Sequence, residues 1–130
     1  MSDSIQKQLD KLKYQLDKLK YQLHLLGEMI DHREYPIPAL VLALDWDDED
    51  LNKAHDIFEK YDKKIEAKEE IDWQTFEMEL RDTFNIGYQT VKTIILAFFD
   101  NGQWQSVCAE YAKACECVEF HRITRPKNNF

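Results

Sequence analysis

Four side chains near the end of the chain are of the types that bind zinc. Cys108 and Cys115 are seven residues apart, and Cys117 and His121 are four apart, so each pair can share one face of a helix. The two pairs do not have the spacing of recurring zinc sites. We therefore expect the three thiols to be small apolar core residues, and we expect no metal site and no cofactor.

A run of acidic residues has some features of a calcium loop. Asp45, Asp47 and Glu49 alternate along the chain as the first ligands of such a loop do. The sixth position of the loop needs glycine and is Asp50 here, and the twelfth is Asp56 instead of glutamate. We therefore reject a calcium site and interpret the run as the N-cap of a helix.

Other chemistry-bearing patterns are weak. His24, Glu28 and His32 are four residues apart and could meet on one helical face, which we interpret as a solvated stripe. No G-x-S-x-G or H-E-x-x-H motif occurs, and three glycines are too few for a phosphate-binding loop. We predict that the protein is not an enzyme, and an enzyme for small molecules is an alternative with no visible active site.

The clearest pattern in the chain is a heptad repeat from residue 5 to residue 30. Leucine or isoleucine recurs at alternating spacings of four and three, and the segment QLDKLKY occurs at residues 8–14 and again at 15–21. We call the eight apolar residues the heptad face: Leu9, Leu16, Leu23 and Ile30 at the a positions, with Ile5, Leu12, Leu19 and Leu26 at the d positions. This period predicts a left-handed coiled coil that joins copies of the chain. The alternative is a helix that folds back onto its own domain.

The residues beside the heptad face bear on strand orientation. Glutamine fills most of the g positions, whereas the e positions include Lys13 and Lys20. An antiparallel pair would bring the lysines of two copies together, so the pattern mildly favours a parallel pair. Leucine at both a and d does not select the number of strands.

Composition suggests one helical domain with an N-terminal arm. The net charge is −8, and residues 45–82 contain 15 acidic and 6 basic residues, a balance of −9. This surface should repel phosphate backbones and anionic membranes, which favours a protein partner with a basic surface over nucleic acid or lipid. The longest apolar run, residues 37–44, is too short to span a bilayer, and the first residues are polar. We expect a cytoplasmic protein.

Helix signals divide the chain further. Pro36 and Pro38 end the arm, and we predict a helix over residues 39–44 and a second that Asp47 or Asp48 caps and that runs to about residue 67. Further helices are predicted over residues 73–84, 88–100 and 104 to about 119, and that over 88–100 is the buried central helix. The predicted fold class is all-α, with a long N-terminal coiled-coil helix followed by a compact multihelical bundle of about five helices. The predicted units are an arm (1–34), an acidic helical domain (35–119) and a disordered basic tail (120–130).

Two surfaces remain as candidates for interaction. Tryptophans beside helix starts could form a partner surface with the acidic run, comprising Trp46, Asp47, Asp48, Glu49, Asp50 and Trp73. Residues 79–95 could instead be a helix-turn-helix, with residues 88–92 beginning the recognition helix. Arg81, at the position that should be small, and the apolar sequence after Lys92 make DNA binding the less favoured alternative.

The segment ILAFFDNGQWQSVCAEY at residues 95–111 resembles the YhaI-type family of small helical Bacillus proteins, as do residues 35–40 and 71–76. The similarity covers about residues 30–118 and rests on packing signatures. The resemblance implies a self-associating multihelical fold without family catalytic residues to transfer. The heptad duplication and the basic tail depart from the family pattern.

These features predict an oligomeric, non-enzymatic protein that acts through protein–protein interaction as a regulator or adaptor. The residues expected to mediate oligomerisation are Leu9, Leu12, Leu16, Leu19, Leu23, Leu26 and Ile30. An alternative is a phage or mobile-element inhibitor whose acidic surface mimics nucleic acid and blocks a host protein.

Overall fold

The computed structural model describes residues 2–125, and this part of the chain is all-helical without strands. The long N-terminal helix and the all-α class are confirmed. The elements in chain order are α1 (Ser2–Glu28), α2 (Pro36–Leu44), α3 (Asp48–Glu66), α4 (Trp73–Phe84), α5 (Tyr88–Asp100), α6 (Gln105–Ala114), a 3₁₀ turn (Val118–Phe120) and α7 (His121–Thr124).

Residues 29–35 connect α1 to α2. Helix α1 ends at Glu28, and α2 begins at Pro36, because proline is tolerated in the first turn of a helix. In the connection, Asp31 Oδ1 accepts the backbone N–H of Arg33 at 2.9 Å. The arm and the body therefore meet at a short, locally hydrogen-bonded segment.

Helix α5 lies at the centre of the body, as its sequence predicts. It packs against α2, α4 and α6, and Val91, Ile94, Ile95 and Phe98 are fully buried. Aromatic rings fill the space between α3, α4 and α6. The Phe58 ring lies 5.3 Å from Phe76 and 4.7 Å from Phe98, between ring centroids. This apolar core belongs to the body alone.

The helix boundaries follow the capping signals. Asp72 accepts the N–H of Gln74 at the start of α4, and Gly102 adopts a left-handed φ of 71° just after α5. The predicted bounds of α4 and α5 are confirmed. Asp47 is the N-cap of α3, one of the two residues that the acidic run offers for this role.

The C-terminal part differs from its prediction. Helix α6 ends at Ala114, five residues before the predicted end, and the chain then turns through Cys115. The predicted disordered tail is wrong for residues 120–125, since Phe120 and Ile123 are buried and Arg122 bonds to Asp100. Apolar side chains that reach the core explain the order. The predicted disorder of residues 126–130 lies outside the described residues.

Candidate functional site

The heptad face lies exposed along α1, except for Ile30, which follows the end of the helix at Glu28 and is half-buried. The heptad residues on the helix are 49–59% exposed, and no residue of α1 is buried; they are Ile5, Leu9, Leu12, Leu16, Leu19, Leu23 and Leu26. In residues 2–125, the body therefore leaves the length of α1 uncovered apart from its contact with α2. Scattered exposed leucines are normal on protein surfaces, but a row along one helix marks an interaction site.

Helix α1 contacts the body near its C-terminal end, where it meets α2. A Cβ atom added to Gly27 would lie 3.8 Å from Leu42 Cβ. Helix α2 is apolar on every side, and the sequence therefore predicts a buried helix. Pro36, Ala39 and Leu40 are buried, whereas Leu42 is 39% exposed. The exposed side of α2 thus adjoins the arm.

The acidic run at the start of α3 is occupied by helix capping. Asp47 Oδ1 accepts the N–H of Asp50 at 2.9 Å, and Asp50 Oδ2 accepts the N–H of Asp47 at 3.1 Å. The hydrogen bond from the Asp50 backbone holds the pKa of Asp47 below its usual value. Asp48 and Glu49 remain exposed beside this capping box. Two of the four carboxylates are therefore available to a partner without loss of the cap.

The structure does not bring the two candidate tryptophans together. The Trp46 ring packs on Phe84 at the end of α4, with centroids 4.5 Å apart, whereas Trp73 begins α4 and packs on Phe76. The 12 residues of α4 place its ends about 18 Å apart. Both tryptophans are half-buried. Each tryptophan therefore packs against its own neighbours in the core, and the two do not form one surface with the acidic run.

The cysteines do not converge on a metal site. Cys108 is fully buried, its Sγ lies 3.5 Å from the Ile95 carbonyl oxygen, and burial raises its pKa to about 12. Cys115 and Cys117 are half-buried beyond the end of α6. Within residues 2–125, no three His, Cys, Asp or Glu side chains are grouped so that they could hold a metal ion.

The three residues spaced four apart on the arm are also separated. His24 Nε2 lies 3.0 Å from Glu28 Oε1 on α1, but His32 follows the end of the helix. Both members of the close pair are well exposed. The arrangement is an i, i+4 surface pair of the kind that supports a helix.

The geometry of α4 and α5 does not favour a DNA-binding helix. Tyr88 and Gln89 at the start of α5 are exposed, but Val91 and Lys92 are buried, and Lys92 is held by Glu119. A recognition helix must offer its side chains to base edges in the major groove. Helix α5 instead buries its apolar side chains from Val91 onward in the core.

Lysines within the acidic segment pair with some of its carboxylates. Lys60 bonds to Glu79, and Lys63 Nζ lies 3.2 Å from Glu59 Oε1. A surface depression with a volume of about 580 Å³ lies beside these residues on α3. Its mixed charge gives no support to a nucleic-acid mimic at this surface.

Two polar contacts in the body have no clear signal in the sequence. Lys92 Nζ reaches Glu119, 27 residues away, and the Trp104 Nε1–H donates to His55 Nδ1 at 3.0 Å. The first joins α5, and the second the residue before α6, to a distant part of the chain. Only the placement of a lysine inside an otherwise apolar helix could have suggested the first contact.

Neither a protein-family model, nor a curated protein, nor a solved structure matches the chain at a significant level of similarity. The resemblance to the YhaI-type family therefore stays a prediction. Among residues 2–125, no helix is both long and apolar enough to cross a membrane.

Proposed function

We propose that the protein is a non-enzymatic, self-associating regulator or adaptor that acts through protein–protein contacts. The observation that carries this proposal is the heptad face, which extends along α1 and is left exposed by the body. Full burial of a leucine is worth about 1.5–3 kcal/mol, so covering the exposed half of each side chain gains roughly 1 kcal/mol. The gains of several such residues in one row add up and would stabilise the binding of a second copy.

A second copy fits this face better than an unrelated helix does. The face has a strict period of seven over nearly four heptads, and two of the heptads are identical. Identical repeats present the same knobs and holes to one another in successive layers. The lysines at the e positions favour a parallel pair, in which each faces a glutamine of the other copy.

The acidic body is the proposed contact for another protein. Its segment from residue 45 to residue 82 has a charge balance of −9, and Asp48 and Glu49 project beside the start of α3. Such a field attracts a basic protein surface and repels nucleic-acid phosphates. Two bodies on a paired arm would offer this surface twice, which increases the apparent affinity for a partner with two sites.

Light scattering of a double variant tests the self-association. Leu16→Glu with Leu19→Glu places charges in two neighbouring layers, and burying an unpaired charge is costly. We expect this variant to be monomeric, with the far-UV circular dichroism of a folded body. Tyr14→Glu with Tyr21→Glu is the matched control, because both tyrosines are exposed at f positions on the opposite side of α1. The control should associate like the wild type.

The proposed partner contact is tested separately. Immobilised protein and an Asp48→Lys, Glu49→Lys variant are compared as baits for basic proteins at two salt concentrations. A partner that binds the acidic body should bind the wild type at low salt and be lost from the variant. Equal binding to both baits would place the contact elsewhere. A monomeric wild type at all concentrations would contradict the self-association.

A further inference from the structure

The heptad repeat changes where α1 meets α2. The first two copies of the repeat have lysine at e, as Lys13 and Lys20, and the third copy has Gly27 at this position. The Leu42 side chain lies directly over Gly27, with a built Cβ 3.8 Å from Leu42 Cβ and 3.9 Å from Cδ1. Leu42 therefore occupies the space into which a third lysine would project.

Leu42 lies beside the end of the heptad face. Leu23 precedes Gly27 by four residues on α1, so the two share one side of the arm. Leu42 is 39% exposed although it belongs to a helix made entirely of apolar residues. The apolar surface of the arm thus continues onto the body through this one side chain.

We propose that α2 is part of the surface that binds a second copy, with Leu42 in the place of the missing e side chain. The inference rests on the proposed self-association. In a parallel pair the e side of one helix faces the g side of the other. Leu42 of one copy would then cover the stem of Gln22 and the edge of Leu26 in the second copy.

This arrangement couples association to the body. Helix α2 packs on the central helix α5, and Leu40 of α2 is buried in the core. A second copy that rests on Leu42 therefore holds α2 between its arm and the core. The pair would therefore help to fix the direction of the arm relative to the body.

Sedimentation equilibrium on two leucine variants tests the proposal. Leu42→Asp should raise the dissociation constant of the pair at least about tenfold. Leu25→Asp is the matched control, because Leu25 is 42% exposed and sits at position c, away from the heptad face. The control should change the dissociation constant less than about threefold. Equal effects of the two variants would overturn the proposal.

Two variants at Gly27 keep the test independent of the stability of α2. Gly27→Ala adds a Cβ at ordinary contact distance and should pair at least as tightly as the wild type. Gly27→Lys continues the repeat but pushes Leu42 away, so it should pair more weakly than Gly27→Ala. If Gly27→Lys pairs as tightly, α2 takes no part. If the wild type and Leu42→Asp pair equally well, only this inference is contradicted. If the wild type is a monomer, the proposed self-association is contradicted as well.

Discussion

Lys92 Nζ lies 3.0 Å from Glu119 Oε2 and 4.5 Å from the centre of the Tyr88 ring. The lysine side chain is only 9% exposed, whereas that of the glutamate is 45% exposed. The hydrogen bond between them raises the pKa of Lys92 and lowers that of Glu119. This pair ties the C-terminal 3₁₀ turn to the central helix.

The unequal exposure of the two partners predicts unequal effects of their removal. Glu119→Gln leaves the shielded ammonium without its carboxylate and should lower the free energy of unfolding. Lys92→Met leaves a carboxylate that water can solvate and fills the same space with an apolar chain, so it should cost less. Urea unfolding at neutral pH measures both. A larger loss for Lys92→Met would contradict this account and assign the contribution of the lysine to a contact other than Glu119, such as the Tyr88 ring.

The same pair predicts a pH dependence. Because the pKa of Glu119 is lower in the folded chain, its contribution is complete above the ordinary glutamate pKa of about 4.3. The contribution is lost as the pH falls through the lowered value. The difference in unfolding free energy between wild type and Glu119→Gln should therefore shrink from pH 5 to pH 3. A constant difference would exclude an electrostatic origin.

The hydrogen bond from Trp104 to His55 predicts a measurable coupling. The Nε1–H donates to Nδ1 at 3.0 Å, and the two rings also lie 6.0 Å apart. A double-mutant cycle with Trp104→Phe and His55→Leu should give a coupling of about 1 kcal/mol, the usual net value of such a bond. A control cycle combines Trp46→Phe with His55→Leu. The effects of these two substitutions on the free energy of unfolding should be additive.

Burial of Phe120 predicts that the C-terminal turn stabilises the body. Phe120→Ala should lower the free energy of unfolding by about 3–5 kcal/mol, as expected for a fully buried phenylalanine. Val118→Ala is the control two residues away, because Val118 is 75% exposed and should change stability by less than about 0.5 kcal/mol. Thermal unfolding followed by circular dichroism distinguishes them. Equal thermal unfolding midpoints for Phe120→Ala and Val118→Ala would contradict this stabilising role and support the predicted disordered tail.

The sequence predicts local structure well where one residue decides it. Asp47 and Asp72 begin helices because their side chains accept backbone N–H groups, and Gly102 ends one because it tolerates positive φ. These are short-range effects that a sequence displays directly. The apolar spacing of α5 likewise indicates its central position.

Long-range pairing explains the failures. The charged residues near Phe120 suggest a tail, but Arg122 bonds to Asp100 and Lys92 to Glu119 across more than 20 residues. Leu42 appears in a wholly apolar helix and is nonetheless partly exposed, because only one side of α2 faces the core. For the candidate surface, the sequence provides the spacing of the heptad face, and the structure adds its exposure and the neighbouring Leu42.

We expect the arms of two copies to pair in parallel, and cross-linking through a single position tests this orientation. Ile5 lies near the start of α1, a helix of 27 residues and thus about 40 Å long. A parallel pair places the two copies of residue 5 side by side, whereas a full antiparallel overlap places them near opposite ends. We therefore expect Ile5→Cys, with Cys115→Ser and Cys117→Ser, to form a disulfide-linked dimer under mild oxidation, measured on a non-reducing gel. Tyr14→Cys in the same background is the control, because position f faces away from the partner and should not cross-link. If Ile5→Cys cross-links only after mixing with Leu26→Cys chains, the arms are antiparallel, and the lysines at e do not determine the orientation.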